Sequence, residues 1–352
     1  MSKKTVALLF GGVSSEHEVS CMSAASVLEN IDKEKYDVVM LGITKSGNWF
    51  QYSGPVEALK KCEWERSEYI IPAFISPSRA THGMLYERLG RFESRRIDVV
   101  YPVLHGRNGE DGTMQGLLEI AGIPYVGSGV LASADCMDKA VCHTLLEAAG
   151  VPQVKWLEFH RGCDAAAAEK AVAEKLGWPV FVKPANAGSS VGITKVKEPS
   201  ALAGAFELAF ASDWKIIVEE AVRDPIEVEC AVLGNDECSV GGPGEIIPAD
   251  EFYTYDAKYH NDKSEVLLKA RIAPEKAAEV REIAVKAYKA LGCRGLSRVD
   301  FLIERESGRV FLNEPNTLPG FTSISMYPKL MVDSGMTYAG LIDRLLELAL
   351  ER

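Results

Sequence analysis

Apolar runs of strand length alternate with helical patterns in the first third of the chain. Residues 20–30 and 113–121 carry apolar side chains at helical spacing. Three largely apolar runs predict buried strands: residues 6–10, 38–43 and 98–104. Alternation of strands and helices predicts a small parallel α/β domain, which we place at residues 1–135.

The second block of the chain has a different pattern. Helices are predicted at residues 139–149 and 164–176, with Asp164 as the N-cap of the second one. A further helical pattern covers residues 200–210. Strands are predicted at residues 179–183, 191–196 and 215–219. Helices against a small antiparallel sheet predict a central α+β domain at residues 136–220.

The third block mixes strands with long helices. Apolar side chains recur on one helical face from Val280 to Leu291. Strands are predicted near residues 227–233 and 245–248, a hairpin at 297–316, and a C-terminal helix at 338–350. We predict a C-terminal α+β domain at residues 221–352, so the chain has three predicted domains.

Composition and charge narrow the class of protein. The chain has 352 residues, of which 25% are charged and 47% hydrophobic, as in soluble globular proteins. Its formal charge is −11 and it has no Lys/Arg-rich run, so we expect no nucleic-acid and no membrane partner. The first apolar run is too short for a signal peptide. The eight scattered cysteines predict neither structural zinc nor a disulfide framework, which favours a cytoplasmic location.

The predicted hairpin brings two acids together. Asp300 lies seven residues before Ser307 and Glu314 lies seven residues after it. Antiparallel pairing about this centre places both carboxylates on one face, with Arg298 and Asn316, while Phe301 and Phe311 face the core. These hard oxygen ligands suit Mg²⁺ bound to nucleotide phosphates. An ordinary solvated face with a salt bridge from Arg298 is the alternative.

A glycine- and serine-rich segment follows the predicted strand that ends at Lys183. In this segment, residues 188–192, small residues allow close backbone approach to a phosphate, and Ser189 and Ser190 can donate to it. The segment lacks the spacing of a P-loop, and a hairpin loop without function is the alternative. Residues 218–222 could offer backbone groups to an adenine, and Glu227 could bind the ribose hydroxyls.

Together the motifs resemble the ATP-grasp family, and within it the D-alanine–D-alanine ligases, over essentially the whole chain. The resemblance rests on seven segments in order: FGGVSSEHEVS (10–20), HGRNGEDGTMQG (105–116), MDK (137–139), KPANAGSSVG (183–192), YDAKY (255–259), RVD (298–300) and NEPNTLPGFT (313–322). It implies an ATP-grasp architecture of three α/β and α+β domains.

The resemblance also implies a role for individual residues. The implied D-alanine ligands are Glu16, Ser189 and His105 at the first site and Ser325 and Met326 at the second. The implied ATP ligands are Lys139, Lys183, Ser190 and Lys258 at the phosphates, residues 219–222 (Glu219, Glu220, Ala221 and Val222) at the adenine, and Glu227 at the ribose. No role is assigned to the Glu220 side chain. Asp300, Glu314 and Asn316 would ligate two Mg²⁺ or Mn²⁺ ions, Arg298 and the Gly320 N–H would stabilise the oxyanion, and Tyr259 would belong to a loop that closes the site.

The implied reaction is the ATP-dependent joining of two D-alanines through an acyl phosphate, for peptidoglycan precursor synthesis by a homodimer. Relatives that make D-alanyl-D-serine in vancomycin-resistant bacteria are the nearest alternative. They tend to carry Arg at the position of Met326, which favours D-alanyl-D-alanine here. D-Lactate-adding relatives lack the Lys258-Tyr259 pair, and a silent nucleotide-binding protein would have lost a metal ligand or a phosphate lysine.

Overall fold

The computed structural model describes residues 3–188, 191–247 and 265–351, and these contain three β-sheets. Each of the three predicted domains contains one sheet. The boundaries near residues 135 and 220 stay a prediction. None of the helices in this part of the chain combines the length and the apolar character that crossing a membrane requires.

The first sheet has seven strands in the order β6-β5-β4-β3-β2-β1-β7. Its strands are β1 (Lys4–Gly11), β2 (Tyr36–Ile43), β3 (Trp49–Tyr52), β4 (Ile70–Ile75), β5 (Gly83–Arg88), β6 (Arg91–Arg96) and β7 (Val99–Pro102). Helices α1 (His17–Asn30), α2 (Val56–Lys60) and α3 (Thr113–Ala121) pack on this sheet, whereas the next two helices, α4 (Val130–Met137) and α5 (Lys139–Ala148), share a buried cluster with the third sheet.

The three strands predicted for the first domain do pair in parallel, but the prediction of a purely parallel domain was incomplete because the sheet is mixed. Strand β1 pairs in parallel with β2 and β7, but β3, β4, β5 and β6 extend the sheet through antiparallel pairs. These added strands are short and partly exposed, and β6 reads RFESRR. A strand with so few buried apolar side chains leaves almost no hydrophobic pattern in the sequence.

The second sheet is antiparallel throughout, as predicted, with the order β10-β9-β11-β8. Its elements are β8 (Trp156–His160), α6 (Ala165–Lys175), β9 (Val180–Pro184), β10 (Thr194–Val196), α7 (Leu202–Ser212) and β11 (Lys215–Glu220). Asp164 caps α6 by accepting a 2.9 Å hydrogen bond from the Ala167 N–H. Strand β10 begins at Thr194, three residues later than predicted.

The third sheet has the order β14-β13-β12-β15-β16, and all of its neighbouring strands are antiparallel. Its elements are β12 (Pro225–Gly234), β13 (Cys238–Ile247), β14 (Glu265–Leu267), α8 (Pro274–Ala290), β15 (Gly295–Glu304), β16 (Val310–Asn316), α9 (Met326–Asp333) and α10 (Tyr338–Leu350). The predicted C-terminal helix and the predicted hairpin are both confirmed.

The first and third parts of the chain share one hydrophobic core. Leu8 and Phe10 of β1 and Val27 of α1 belong to the same buried cluster as Leu330 of α9 and Leu345 of α10. The second sheet has a separate buried cluster with α6 and α7. The shared core therefore fixes the position of the first sheet's strand ends relative to the β15–β16 hairpin.

Candidate active site

Three carboxylates lie side by side across the third sheet. Glu229 on β12 pairs with Asp300 on β15, and Asp300 pairs with Glu314 on β16, so the hairpin centre at Ser307 predicted the second pairing correctly. Glu227, two residues before Glu229 on the same strand, lies on the same face. Like charges at paired positions are only about 5 Å apart and repel each other unless a cation lies among them. This acidic row therefore favours bound positive charge.

Arg298 supplies one positive charge to the acidic row. Its Nε and Nη2 atoms donate to the two Asp300 oxygens at 2.7 and 2.6 Å, and Nε lies 3.1 Å from Glu229 Oε2. Burial alone would lower the pKa of Arg298, but Asp300, Glu229 and Glu314 raise it well above its ordinary value. The guanidinium is thus a permanent cation whose orientation is fixed by a bidentate contact.

Asp300, Glu314 and Asn316 present side-chain oxygens from the same hairpin. Asn316 pairs with Arg298, two positions along from the Asp300–Glu314 pair, and its Oδ1 accepts a 3.1 Å hydrogen bond from the Leu318 N–H. This bond fixes which end of the amide carries the oxygen. Two carboxylates and one amide oxygen are hard ligands, and the donor set therefore fits Mg²⁺ or Mn²⁺.

A register shift follows Asp300 in the hairpin. Beyond the shift Phe301 pairs with Leu312, and both belong to the buried cluster that includes α8. Phe311 pairs with Leu302 and therefore points to the opposite face from Phe301. The prediction that Phe301 and Phe311 share the core face was wrong, because it assumed uninterrupted pairing. The extra residue is accommodated as a β-bulge, and bulges are common beside active sites.

Glu16 lies where the first sheet meets the segment that follows Lys183. It immediately precedes α1, and its N–H donates to Ser14 Oγ at 3.0 Å. A Cβ atom added at Gly106 would lie 3.1 Å from Glu16 Oε2, and one added at Gly188 would lie 3.7 Å from it. Two glycines from separate loops thus approach the Glu16 carboxylate closely. A side chain at Gly106 would crowd the Glu16 carboxylate, and one at Gly188 would contact it.

His105 is buried behind Glu16 and links two parts of the chain. Its Nδ1–H donates to Leu318 O at 3.0 Å, while Nε2 lies 3.5 Å from Ser23 Oγ. Burial lowers the pKa of His105, which keeps the ring neutral, although the Glu16 charge opposes this. Sequence reasoning missed Ser23, whose Oγ also accepts the Phe321 N–H at 3.2 Å. The position of Ser23, a polar residue on the apolar face of α1, could have indicated this role.

Glu110 is a second functional candidate that sequence reasoning left without a role. Its Oε2 accepts the Gly106 N–H at 2.7 Å. Burial, followed by repulsion from Glu16, raises the pKa of Glu110 to about 8. A carboxyl group that titrates near neutrality beside a second carboxylate can accept or release a proton at physiological pH. The local sequence GED at residues 109–111 gives no information about the burial of this glutamate or about its neighbours in space.

Two lysines provide positive charge on the other side of the site. Lys139, the first residue of α5, donates from Nζ to Ala187 O at 2.5 Å, and burial lowers its pKa. Lys183 at the end of β9 lies 2.5 Å from a Glu219 oxygen, and His143 Nε2 lies 2.9 Å from the other oxygen of Glu219. Both lysines therefore have a fixed position before any anionic ligand arrives.

The segment between the two lysines is anchored by side chains. Asn186 donates its backbone N–H and its amide to Asp213 at 2.8 and 3.1 Å, and the same amide also lies 3.1 Å from Asp138. Lys215 lies 2.6 Å from Asp138, which also caps α5. These contacts hold residues 184–188 beside the start of α5. Four predicted site residues, Ser189, Ser190, Lys258 and Tyr259, lie outside the described residues.

The end of β11 was predicted to contact an adenine. The Glu220 N–H donates to Lys155 O at 2.9 Å, and the Ala221 N–H donates to Pro179 O at 3.1 Å. A nucleotide at this edge would thus meet the carbonyl groups of these residues, or Val222, rather than their N–H groups. The side chain of Glu220 accepts a 2.9 Å hydrogen bond from the Lys155 N–H.

Gly320 and Ser325 come together at the start of α9. A Cβ atom added at Gly320 would lie 2.8 Å from Ser325 Oγ, which itself accepts the Thr322 N–H at 3.0 Å. The side chain of Met326 is buried in the shared core, and a Cβ atom at Gly244 would lie 3.1 Å from its Cε. Any contact of Met326 with a substrate would therefore come from its backbone.

Electrostatic interactions connect residues from all three parts of the chain. Glu110 interacts with Glu16, Arg298 and Glu314, and Lys139 interacts with Glu314. Such interactions are appreciable only over short distances in a solvated protein. The structure thus brings Glu16, Glu110, Lys139, Arg298 and Glu314 close together in one site.

Two family models cover most of this sequence. A model described as "D-ala D-ala ligase N-terminus" matches residues 5–128, and one described as "D-ala D-ala ligase C-terminus" matches residues 145–347. The chain belongs to the D-alanine–D-alanine ligase family. The chain is 49% identical to the "D-alanine--D-alanine ligase" of Caldicellulosiruptor bescii, over 100% of this chain and 96% of that protein. It is 50% identical to the "D-alanine--D-alanine ligase" of Thermoanaerobacter pseudethanolicus, over 100% of this chain and 98% of that protein.

Solved structures of the family have the same fold. A VanG D-Ala:D-Ser ligase from Enterococcus faecalis superposes with a TM-score of 0.91 at 44% identity, over 99% of this chain and 100% of that one. The D-alanine-D-alanine ligase from Coxiella burnetii gives a TM-score of 0.86 at 33% identity, over 100% and 95%. The predicted ATP-grasp architecture of α/β and α+β parts is therefore confirmed, with the mixed first sheet as the correction.

Proposed function

We propose that this protein joins two D-alanine molecules with ATP, through an acyl phosphate, to make D-alanyl-D-alanine for peptidoglycan precursors. One observation supports the proposal most directly: Arg298 is held within the acidic row, and Lys139 interacts with Glu314 of the same row. A ligase that activates a carboxylate needs cations for a transferred phosphoryl group and a fixed cation for the oxyanion that follows. The family relationship supplies the choice of substrate.

ATP binds in this proposal between the second and third sheets. Lys139 and Lys183 neutralise phosphate charge, together with Ser190 and Lys258. The end of β11, residues 219–222, meets the adenine through its backbone, and Glu227 accepts from the ribose hydroxyls. The side chain of Glu219 orients Lys183 and does not contact the nucleotide, because its carboxylate is buried between that lysine and His143.

Asp300, Glu314 and Asn316 hold the Mg²⁺ or Mn²⁺ ions that accompany ATP. The metal ions supply neutralisation of the phosphate charge. The residues themselves contribute hard oxygens whose orientation is set by the hairpin pairing and by the Leu318 N–H. Arg298 keeps Asp300 in place by its bidentate contact.

The two D-alanines lie on the Glu16 side of the acidic row. Glu16 holds the ammonium of the first one, with Ser189 and the neutral His105 nearby. Arg298 and the Gly320 N–H stabilise the tetrahedral oxyanion, and Ser325 and the Met326 backbone bind the second amino acid. The segment with Tyr259 closes over the site, which protects the acyl phosphate from water.

We also propose that the protein is a cytoplasmic homodimer. ATP and a reduced state of eight free cysteines both fit the cytoplasm. Light scattering after size-exclusion chromatography tests the dimer. A mass near 77 kDa, twice the 38.4 kDa of one chain, supports it, and a mass near 38.4 kDa contradicts it.

A mixed-substrate assay tests the proposed function. The protein is incubated with ATP, Mg²⁺ and equal concentrations of D-alanine and D-serine, and the dipeptide products are distinguished by mass spectrometry. D-Alanyl-D-alanine as the main product supports the proposal. A dominant D-alanyl-D-serine product contradicts it in favour of the activity named for the VanG neighbour, and the absence of any dipeptide contradicts both. Asp300→Asn is the matched inactive control.

A further inference from the structure

Three potential metal ligands meet beside the first turn of α1, outside the acidic row. They are His17 and Cys21 on α1 and Cys62 just after α2. Their ligand atoms all lie within 4.8 Å of one another, and the two sulfur atoms are 3.2 Å apart. His17 and Cys21 are buried, whereas Cys62 is half-buried. We call this the His17–Cys21–Cys62 cluster.

The fold creates this cluster from residues that are distant in sequence. His17 and Cys21 are four positions apart, so they lie on one face of the helix. Cys62 lies 41 residues from Cys21, which is why the cysteine spacing predicted no zinc site. Cys62 also has a φ of +54°, in the left-handed region that non-glycine residues rarely adopt. Strained backbone of this kind often marks a residue with a functional position.

The His17 ring has the hydrogen-bond arrangement that metal-binding histidines use. Its Nδ1 lies 2.7 Å from Gly12 O, and a carbonyl oxygen can only accept, so Nδ1 carries the proton. The neutral ring then keeps its lone pair on Nε2. Ligating histidines almost always donate their other N–H to a carbonyl or carboxylate in this way, because the bond fixes the tautomer and the ring orientation.

An open surface depression connects the cluster to solvent. It is lined by His17 and Cys62 together with Glu18, Glu65 and Lys45. An ion can therefore reach the two ligands that line the depression without unfolding of the helix. Glu18 is paired with Lys45, so the remaining coordination position would be open to water.

We propose that His17, Cys21 and Cys62 form a binding site for a thiophilic divalent cation of the zinc class. A site with two sulfur ligands and one imidazole nitrogen binds Zn²⁺ in preference to Mg²⁺. Tetrahedral Zn²⁺ needs about 3.7 Å between two thiolate sulfurs, so the pair would separate by about half an ångström. Both thiols release their protons to solvent on binding.

The site bears on the proposed function through position alone. Glu16 immediately precedes His17, so a bound ion would tie the residue after Glu16 to the segment after α2. The binding proposal itself does not depend on the proposed ligase activity. We expect the bound ion to change the KM for D-alanine more than the KM for ATP, since Lys139 and Lys183 belong to other elements.

Cobalt substitution tests the proposal without any activity measurement. The full-length protein, reduced with a phosphine and stripped of metal, is titrated with Co²⁺ in the presence of excess Mg²⁺. One equivalent should produce the near-ultraviolet charge-transfer absorption of a cobalt–thiolate bond, and one equivalent of Zn²⁺ should remove it. No thiolate absorption, or binding only to the Mg²⁺ ligands, would overturn the proposal.

Matched variants locate the ligands. Cys62→Ser should weaken Zn²⁺ binding by at least about 100-fold, because it removes one thiolate from a three-ligand site. Cys163→Ser, at another half-buried cysteine distant in the fold, should leave binding unchanged. Circular dichroism checks that both variants fold. If Cys62→Ser does not fold, His17→Asn provides a second variant that removes a ligand. Equal affinity for Zn²⁺ in wild type and Cys62→Ser would overturn the proposed site.

Discussion

Lys183 Nζ lies 2.5 Å from Glu219 Oε2 in the second sheet, where the Glu219 side chain is buried and the Lys183 side chain is 13% exposed. Burial alone would raise the pKa of Glu219, but Lys183 and His143 lower it to about 2 from an ordinary value of 4.5. A carboxylate with a lowered folded pKa stabilises the protein fully above its unfolded pKa. The contribution is lost as pH falls from 4.5 towards 2.

Glu219→Gln should therefore destabilise the protein in a pH-dependent way. At pH 7 we expect a loss of about 3 kcal/mol in the free energy of unfolding, since Lys183 loses its buried partner. Between pH 4.5 and pH 2 the difference from wild type should shrink. Urea unfolding followed by circular dichroism across this range measures it. A difference that stays constant with pH would show that Glu219 is not the titrating group.

Lys183→Ala should raise the KM for ATP by about 100-fold, because a positioned cation at the phosphates is lost. The matched control is Lys170→Ala, which removes an exposed lysine of α6 from the same domain. Steady-state kinetics with varied ATP distinguishes the two variants. If both variants raise the KM for ATP equally, the effect comes from the loss of a positive charge in the domain and not from the loss of a specific phosphate contact.

Glu229→Gln should lower kcat by about 10-fold to 100-fold with little change in the KM for ATP. The variant removes one of the two carboxylates that hold the Arg298 guanidinium, so the oxyanion cation loses its fixed orientation. Glu237→Gln, at the exposed β12–β13 turn, is the control for removing a charge from the same strand pair. An unchanged kcat in Glu229→Gln would mean that Asp300 alone orients Arg298.

The acidic row shows how far the sequence could predict the site. Asp300 and Glu314 could be paired because their strands are adjacent in sequence and symmetric about Ser307. Glu229 could not be paired with Asp300 from the sequence, because β12 and β15 are neighbours in the sheet although the two residues are 71 positions apart in the chain. Nothing in the local pattern states which strands become neighbours in a sheet. Family resemblance supplied most individual roles, but it did not reveal the partners that orient those residues.

Burial explains the remaining gap between sequence and site. The sequence places Glu110 in a glycine-rich segment, which indicates a loop and gives no sign of a buried carboxyl group. Its pKa is raised first by burial and then by repulsion from Glu16, which lies 94 positions earlier in the chain. The His17–Cys21–Cys62 cluster was missed for the same reason, since its third ligand comes from a separate element. Titration behaviour and ligand clusters of this kind follow from tertiary structure alone.

Glu110→Gln should change how stability depends on pH. The folded pKa of Glu110, about 8, lies above the ordinary value of 4.5, so the native state binds this proton more tightly than the unfolded chain. Native stability is therefore lost progressively as pH rises from 4.5 to 8. Relative to wild type, the variant should gain stability over this interval. Thermal unfolding without nucleotide, between pH 5 and pH 9, measures the difference, and parallel curves for the two proteins would contradict the prediction.

Gly320→Ala should lower kcat/KM for D-alanine, although the backbone conformation at this position is accessible to alanine. The added Cβ would lie 2.8 Å from Ser325 Oγ, so the serine that contacts Thr322 must move. The cost arises from that contact, and a double-mutant cycle with Ser325→Ala isolates it. Gly320→Ala should therefore cost less in the Ser325→Ala background than in wild type, in kcat/KM and in unfolding free energy alike. Equal costs in both backgrounds would mean that the glycine is needed for the approach of substrate itself, and not for the position of Ser325.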